Sequence, residues 1–165
     1  MYQQGIIKYQ TGQLQKLDNV LAITNKILEI DFRNLRIVHL DDHNIFRAGL
    51  RLSLKEKLPN ILIKEFLDNE PALNYIEDCF KNKERIDLII TDYNHPGANG
   101  LIFAQEVREL QKYYSISIPV MLFTMRGEEE LLFKATREGV FDVYFLKSAQ
   151  PEELIDFVKR NTSQL

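Results

Sequence analysis

The sequence predicts a single α/β domain in which helices cover both faces of a parallel sheet. From about residue 35 onward, short continuous apolar runs alternate with longer amphipathic segments. Such runs suit strands that are buried on both faces of a sheet. The regular alternation of strands with helices favours a parallel sheet with a helix in each connection. A length of 165 residues fits one domain together with a short extension.

Five strands and five helices are predicted in this domain. The strands are placed near residues 35–40, 61–66, 86–91, 118–123 and 141–146. The segments between the strands are predicted helices, and a fifth helix is predicted near 151–162. Leu50, Leu54 and Leu58 recur at helical spacing, and Pro59 ends the first helix.

Several helix ends carry their own signals. Pro71 falls in a first helical turn, where its missing N–H costs nothing. Asn99 is a predicted N-cap, and Gly139 is a predicted C-cap before the last strand. Glu152 and Glu153 open the final helix and place negative charge at the positive end of its dipole.

Residues 1–34 are predicted to form a helical extension of the domain at 35–165. A helix is predicted from about Thr11 to Ile30, because two apolar stripes follow helical spacing there. The two stripes comprise Ile7, Leu14, Leu17, Leu21 and Leu28, and Val20, Ile23, Ile27 and Ile30. Periodicity does not distinguish packing against the same domain from a helix shared between two protomers.

Composition argues against several functional classes. A net charge of −3 disfavours sequence-independent nucleic-acid binding, which needs a concentrated basic patch. No apolar stretch approaches the roughly 20 residues that span a bilayer, so no membrane association is expected. The polar N-terminus lacks the apolar region of a signal peptide. The single cysteine, Cys79, excludes an intrachain disulfide framework. A buried thiol and a cytoplasmic location are therefore expected.

Acidic side chains follow two of the predicted strands at the point where each strand ends. Asp92 comes directly after the apolar run at 86–91, and Asp41 and Asp42 follow the first strand. Open α/β sheets place their chemistry at the carboxyl ends of the strands. Mg²⁺ prefers one or two carboxylates together with waters and phosphate oxygens. If strands one and three are neighbours, these three acids predict a Mg²⁺ site.

Two further polar residues belong to the same predicted edge. Lys147 ends the fifth strand and brings a point charge, and Thr124 ends the fourth and can hydrogen-bond a phosphoryl oxygen. Each acid alone has a structural explanation, since Asp42 could cap a helix and Asp92 could begin a turn. The joint pattern at the strand ends nevertheless predicts a site for phosphoryl chemistry.

The histidines give no comparable signal. His39 and His43 have a metal-like spacing, but His39 sits in a strand pattern. A zinc-protease motif needs both histidines on one helical face with a glutamate between them, and that glutamate is absent. Structural roles are therefore expected for both residues.

From Leu35 to about Thr162 the sequence resembles a response-regulator receiver domain of two-component signalling. The matching residues, in order and spacing, are Asp41-Asp42, Asp92 with Pro96 and Gly100 after it, Thr124, Tyr144 and Lys147. The segment from Asp41 to Leu50 resembles receivers joined to a helix-turn-helix DNA-binding domain. The resemblance implies a flavodoxin-like, doubly wound fold with strand order 2-1-3-4-5, here with an extra N-terminal helix.

The resemblance also implies a mechanism. Asp92 would accept a phosphoryl group from a phosphohistidine on a sensor histidine kinase or phosphotransfer protein, which is nucleophilic carboxylate chemistry. Asp42 would bind Mg²⁺ directly, Asp41 through water, and Asn94 through its backbone carbonyl, with Asp92 completing the metal site. Lys147 would pair with the phosphoryl group.

A conformational switch is implied as well. Thr124 would move toward the phosphoryl group, and Tyr144 would swing inward behind it. These movements would alter a surface formed by the helix after the fourth strand, the fifth strand and the final helix. That surface and the N-terminal helix are the two candidate homodimer interfaces.

Some positions depart from the family pattern. Ser148 follows Lys147 where the family usually has a proline, commonly in cis, and a non-proline cis bond costs about 2.5–4 kcal/mol. A trans bond or a rearranged turn is therefore expected. Met125 follows Thr124 where the family often has a small residue, and a larger side chain there could narrow access to Asp92. His95 replaces a medium-sized apolar residue.

Three alternatives to a phosphorylated signalling module stay open. An aspartyl phosphohydrolase usually carries a second Asp two residues after its nucleophile, where this chain has Asn94. No enzymatic turnover is therefore expected beyond self-catalysed phosphorylation and dephosphorylation. The chain could also be a receiver fragment of a DNA-binding transcription regulator. The third alternative is a degenerate receiver that acts as a phosphorylation-independent interaction module.

Overall fold

A computed structural model describes residues 35–94, 99–125, 137–149 and 151–162 of the chain. The elements are β1 (Arg36–Leu40), α1 (Asn44–Lys57), β2 (Leu62–Phe66), α2 (Asn69–Lys81), β3 (Leu88–Thr91), α3 (Gly100–Tyr114), β4 (Val120–Thr124), β5 (Val143–Leu146) and α4 (Pro151–Thr162). The predicted N-terminal helix, most of the predicted helix between β4 and β5, and residues 95–98 lie outside the described residues.

The five strands form one parallel sheet with the order β2-β1-β3-β4-β5. This order confirms the predicted flavodoxin-like architecture. Because β1 lies beside β3, the residues that follow these two strands meet at one edge of the sheet. The carboxyl ends of β4 and β5 lie at the same end of the sheet, beyond β3.

Two buried clusters fill the two faces of the sheet. On one face, Ile37 and Ile90 pack with Leu54 of α1 and Ile155 of α4. On the other face, Val38, Ile89 and Leu122 pack with side chains of α2 and α3, including Ile76, Cys79, Phe103 and Val107. Successive strand residues point to opposite faces, so strands buried on both sides need continuous apolar runs. The buried Cys79 agrees with the expected apolar thiol.

The predicted helix ends agree with the described structure. α1 ends at Lys57, two residues before Pro59, and Pro71 lies in the first turn of α2. The Asn99 side chain caps α3 by accepting a hydrogen bond from the Ile102 N–H at 3.0 Å. Gly139 has a φ of 75°, the left-handed conformation of a C-cap glycine.

The strands β3, β4 and β5 each begin two residues later than predicted. At the start of β4, side chains bond the backbone groups. The Ile118 carbonyl accepts hydrogen bonds from Gln111 Nε2 at 2.8 Å and from Arg108 Nη1 at 3.2 Å. The Val120 N–H, where β4 begins, donates to Asp142 Oδ2 at 2.6 Å.

None of the described helices is long and apolar enough to cross a membrane.

Candidate functional site

Backbone hydrogen bonds continue past the strand ends and position the acidic edge. The Asp41 N–H donates to the carbonyl of Phe66 at 3.2 Å, and the Asp92 N–H donates to that of Leu40 at 2.9 Å. The Lys147 N–H donates to the carbonyl of β4's last residue at 2.8 Å. These residues are therefore held by the sheet rather than by mobile loops.

Lys147 joins the ends of three strands through its ammonium group. Its Nζ lies 2.8 Å from Asp92 Oδ2 and 2.6 Å from Asp41 Oδ2, and its side chain is fully buried. The same Nζ lies 4.3 Å from the centre of the Phe46 ring, a cation–π contact. The peptide bond to Ser148 is trans. Proline at that position is therefore not needed to bring this lysine to the carboxylates.

The remaining carboxylate oxygens are oriented by backbone donors. Asp92 Oδ1 accepts a hydrogen bond from the Tyr93 N–H at 2.7 Å, and Asp41 Oδ1 accepts one from the His43 N–H at 2.8 Å. His43, rather than Asp42, occupies the N-cap position of α1. Asp42 is therefore available for a ligand instead of serving as a helix cap.

Four residues bring possible metal-ligand atoms close together. Asp41, Asp42, His43 and Asp92 each offer one such atom, and these atoms lie within 4.8 Å of one another. Asp42 Oδ1 is buried and has no hydrogen-bond partner within the described residues, whereas Asp41 Oδ2 is paired with the Lys147 ammonium. Carboxylate oxygens suit a hard divalent cation such as Mg²⁺, so the donor set fits the predicted ion. The Asn94 carbonyl as a further ligand stays a prediction.

The other predicted residues lie at the same end of the sheet with different exposures. Thr124 is the last residue of β4 and is buried. It therefore lies at the end of the sheet where Lys147 follows β5. Tyr144 in β5 is 41% exposed, so its ring does not occupy an inward position in this structure. Met125 is 60% exposed. The switch roles of Thr124 and Tyr144, and the effect of Met125 on access, stay predictions. His95 lies outside the described residues.

Three residues near the carboxylates did not emerge from the sequence as site residues. His43 contributes a potential ligand atom, Phe46 contacts the Lys147 ammonium, and Arg47 Nη1 donates to the Asp41 carbonyl at 2.6 Å. The available signal was their position at the start of the helix that follows two adjacent acids. Helical spacing alone does not say which of these side chains turn back toward the strand end.

His39 lies fully buried beneath the acidic edge. Burial, and after it the nearby positive charges with Lys147 first among them, lower the pKa of its imidazole from 6.5 to about 3. Neither ring nitrogen has a hydrogen-bond partner within the described residues. His39 is therefore neutral and structural at neutral pH, as the sequence led us to expect.

Replacing His39 by Leu is expected to weaken the acid sensitivity of folding in Mg²⁺-free buffer. The folded-state pKa, about 3, lies below the ordinary value of 6.5, so the unfolded chain binds the extra proton. Stability from the neutral imidazole is complete above pH 6.5 and falls as the pH drops toward 3. Between pH 7 and 5 the parent should lose about 2 kcal/mol more than the variant. Urea unfolding across this range measures the difference, and equal pH slopes would contradict it.

Gly100 allows the first turn of α3 to approach the Asp92 backbone closely. A Cβ atom at this position would lie 2.0 Å from the Asp92 carbonyl oxygen. The Gly100 N–H also donates to the Tyr93 carbonyl at 2.7 Å. Only glycine fits between the helix and the segment that carries Asp92.

We expect Gly100→Ala to destabilise the fold by about 3 kcal/mol, because the new methyl group meets backbone that cannot turn away. Gly49→Ala is a matched control, since a Cβ at Gly49 in α1 meets nothing within 4 Å. The control should stabilise the fold by about 0.5–1 kcal/mol through helix propensity. Urea unfolding of both variants tests this, and two similar changes in stability would refute the steric explanation.

The sequence profile of the response regulator receiver domain matches residues 37–159. The chain belongs to this family. Receiver domains are signalling domains that bind Mg²⁺ at an acidic pocket and partner with histidine kinases or phosphotransfer proteins. The cluster of Asp41, Asp42 and Asp92 lies where such a pocket is expected in this receiver.

Two curated relatives and one solved structure illustrate the similarity. The cyclic di-GMP phosphodiesterase response regulator RpfG of Xanthomonas campestris is 34% identical over 73% of this chain and 30% of the relative. The nitrate/nitrite response regulator NarL of Escherichia coli is 32% identical over 72% of this chain and 50% of the relative. The receiver therefore spans half or less of the length of these two proteins.

The solved structure is the receiver domain of the histidine kinase CKI1 from Arabidopsis thaliana, complexed with Mg²⁺ and BeF₃⁻. The superposition has a TM-score of 0.66 with 21% identity, and it covers 79% of this chain and 91% of the other. At this identity the similarity establishes the shared fold alone.

Proposed function

We propose that this receiver accepts a phosphoryl group on Asp92 from a sensor histidine kinase or a histidine phosphotransfer protein. The observation that carries the proposal is the buried Lys147 ammonium, 2.8 Å from Asp92 Oδ2 and 2.6 Å from Asp41 Oδ2. A fixed cation beside a nucleophilic carboxylate stabilises the charge of the group that is transferred. Its burial removes the competing water that would weaken this interaction.

Mg²⁺ is the cofactor in this proposal. Asp42 would bind the ion directly and Asp41 through water, and Asp92 and the Asn94 backbone carbonyl would complete the protein ligands. The buried Oδ1 of Asp42 supports this assignment, because a buried acceptor without a hydrogen bond is costly unless a cation satisfies it. When bound, Mg²⁺ neutralises phosphoryl oxygens during transfer.

The reaction itself needs few groups from the protein. An oxygen of the Asp92 carboxylate attacks the phosphorus atom, a P–O bond forms, and the P–N bond of the phosphohistidine breaks. The donor imidazole leaves with the electron pair of that bond and takes up a proton. Lys147 holds Asp92 in place beforehand and then pairs with the phosphoryl oxygens, while Thr124 approaches them with its hydroxyl group.

The output would be a change in a protein-interaction surface. Thr124 moves toward the phosphoryl group, and Tyr144 turns from its exposed position into the space behind it. Tyr144 lies on β5, which the resemblance places in the switching surface together with the final helix. This surface and residues 1–34 are the two proposed sites of homodimerisation. Binding to nucleic acid by the receiver itself is not part of the proposal.

The test is labelling of the full-length chain with phosphoramidate, a donor whose P–N bond resembles that of phosphohistidine. We expect a mass increase of one phosphoryl group with Mg²⁺ and none with EDTA. Hydroxylamine should remove the label, because an acyl phosphate is cleaved by this nucleophile. The absence of labelling would favour a receiver that binds partners without phosphorylation. A label that resists hydroxylamine would exclude an aspartyl phosphate.

A second candidate is the receiver part of a longer DNA-binding transcription regulator. It is favoured by the coverage of NarL, half of which lies outside the match, and by the resemblance of Asp41–Leu50 to receivers joined to helix-turn-helix domains. In this case phosphorylation of Asp92 would control an attached output domain. The gene sequence beyond the codon for Leu165 tests this candidate, because the candidate requires a helix-turn-helix segment there.

A further inference from the structure

We propose that His43 supplies a nitrogen ligand to the acidic site, so that the site binds a late first-row divalent ion of the Zn²⁺ type as well as Mg²⁺. The ion would lie between the His43 imidazole and the carboxylates of Asp42 and Asp41. This inference rests on the carboxylate set of the proposed Mg²⁺ site. It does not depend on whether Asp92 is phosphorylated.

The distances around His43 agree with two ligands of one ion. His43 Nδ1 lies 2.8 Å from Asp42 Oδ1 and 3.6 Å from Asp41 Oδ1. Two ligand atoms that are each about 2.1 Å from a metal ion, and at right angles to one another, lie about 3 Å apart. The imidazole nitrogen and the carboxylate oxygens therefore already have the separation that a shared ion requires.

The close approach of His43 to Asp42 is not a hydrogen bond. Asp42 Oδ1 is buried and has no hydrogen-bond partner within the described residues, although His43 Nδ1 is only 2.8 Å away. The imidazole N–H is therefore not directed at this oxygen. A cation bound by both the imidazole nitrogen and this carboxylate oxygen would satisfy the buried oxygen.

A second observation comes from buried polar atoms on the other side of Asp41. Both Asp41 and His39 have fully buried side chains, and His39 Nε2 lies 3.9 Å from Asp41 Oδ2. His39 Nε2 has no hydrogen-bond partner in the described part of the chain, whereas Asp41 Oδ2 is paired with the Lys147 ammonium. The Oδ1 atom of Asp41 accepts the His43 backbone N–H and is the oxygen that faces the His43 imidazole.

The type of ligand atom determines which metal ions the site binds more tightly. Carboxylates and water suit Mg²⁺, whereas imidazole adds affinity for Zn²⁺, Ni²⁺, Co²⁺ and Cu²⁺. The His43 side chain is 54% exposed, so an ion can reach Nδ1 from solvent. A nitrogen ligand at the mouth of the site thus strengthens Zn²⁺ binding and leaves Mg²⁺ binding to the oxygens.

The experiment compares Zn²⁺ and Mg²⁺ titrations of the full-length protein by calorimetry. In His43→Ala and in His43→Asn, which keeps a good N-cap residue, the Kd for Zn²⁺ should rise about tenfold or more. The Kd for Mg²⁺ should stay within about twofold of the parent value. Asn44→Ala, one residue further along α1, is the matched control and should leave both constants unchanged.

A spectroscopic readout identifies the ligand directly. The chain has three histidines, so the side-chain ¹⁵N signals can be assigned with single variants. Zn²⁺ should shift the Nδ1 signal of His43.

Equal weakening of Zn²⁺ binding and Mg²⁺ binding in the His43 variants would overturn the proposal. Zn²⁺ binding that is lost in His95→Ala but retained in His43→Ala would overturn it as well. Mg²⁺ binding and phosphoramidate labelling that persist in these variants would show that the proposed phosphoacceptor function stands independently.

Discussion

Asp92→Asn is expected to abolish labelling of the full-length chain by phosphoramidate in the presence of Mg²⁺. The asparagine amide has nearly the same shape as the carboxylate, but its oxygen carries no charge and is a poor nucleophile. Asp92 is only 3% exposed, and its Oδ2 faces the Lys147 ammonium, which holds this carboxylate in position. Intact-mass measurement after a fixed incubation gives the fraction of labelled chains.

The matched control for this experiment is Asp156→Asn. Asp156 is an exposed carboxylate on α4, away from the strand ends that carry the site. The control should label to the same extent as the parent. Labelling of Asp92→Asn at the parental level would disprove the assignment of the phosphoacceptor, whatever the outcome for the control.

Lys147→Met is expected to destabilise the protein by about 3–5 kcal/mol in the presence of EDTA. The ammonium lies between two carboxylates whose side chains are 0% (Asp41) and 4% (Asp92) exposed. Methionine matches the length of the lysine stem but removes the charge. Two buried carboxylates then face each other without their counter-ion, which costs far more than an exposed ion pair contributes.

Mg²⁺ should restore part of this loss, because the ion supplies positive charge to the same carboxylates. The increase in stability on adding Mg²⁺ should therefore be larger for Lys147→Met than for the parent. Lys55→Met on the exposed side of α1 is the control and should change stability by less than about 0.5 kcal/mol. If Lys147→Met unfolds at the same urea concentration as the parent in EDTA, the ammonium does not hold the carboxylates together.

The spacing of apolar residues in the sequence was sufficient to predict the strands and helices of the fold. The apolar runs at β1, β3 and β4 are continuous because these strands are covered on both faces, as with Ile89 and Ile90 in opposite clusters. The strand order came from the resemblance to receivers, since runs of this kind do not state which strands are neighbours. The structure confirms the five strands, the four helices among the described residues and the strand order.

The ends of the strands were harder to predict from the sequence, because they depend on contacts between distant residues. Ile118 belongs to an apolar run, yet its carbonyl is bonded by Gln111 and Arg108 from α3. Asp87 lies within the run predicted for β3, yet its Oδ2 accepts a hydrogen bond from the Arg36 N–H at 2.8 Å. The local sequence around a strand end does not indicate such distant partners.

For the candidate site, the acids and the lysine were predictable, and their neighbours were not. Asp41, Asp92 and Lys147 each end a strand, and parallel topology gathers strand ends at one edge. The proximity of His43 to the carboxylates depends on the direction of one side chain at a helix start. That direction is set by tertiary packing rather than by spacing.

The contact between Asp92 and Lys147 joins residues 55 positions apart in the chain. During synthesis the acidic residues leave the ribosome well before the lysine that neutralises them, and β5 is the last strand added to the sheet. A nascent or partly folded chain therefore carries the carboxylates without their ammonium. The buried acids thus gain their counter-ion only when the last strand has docked.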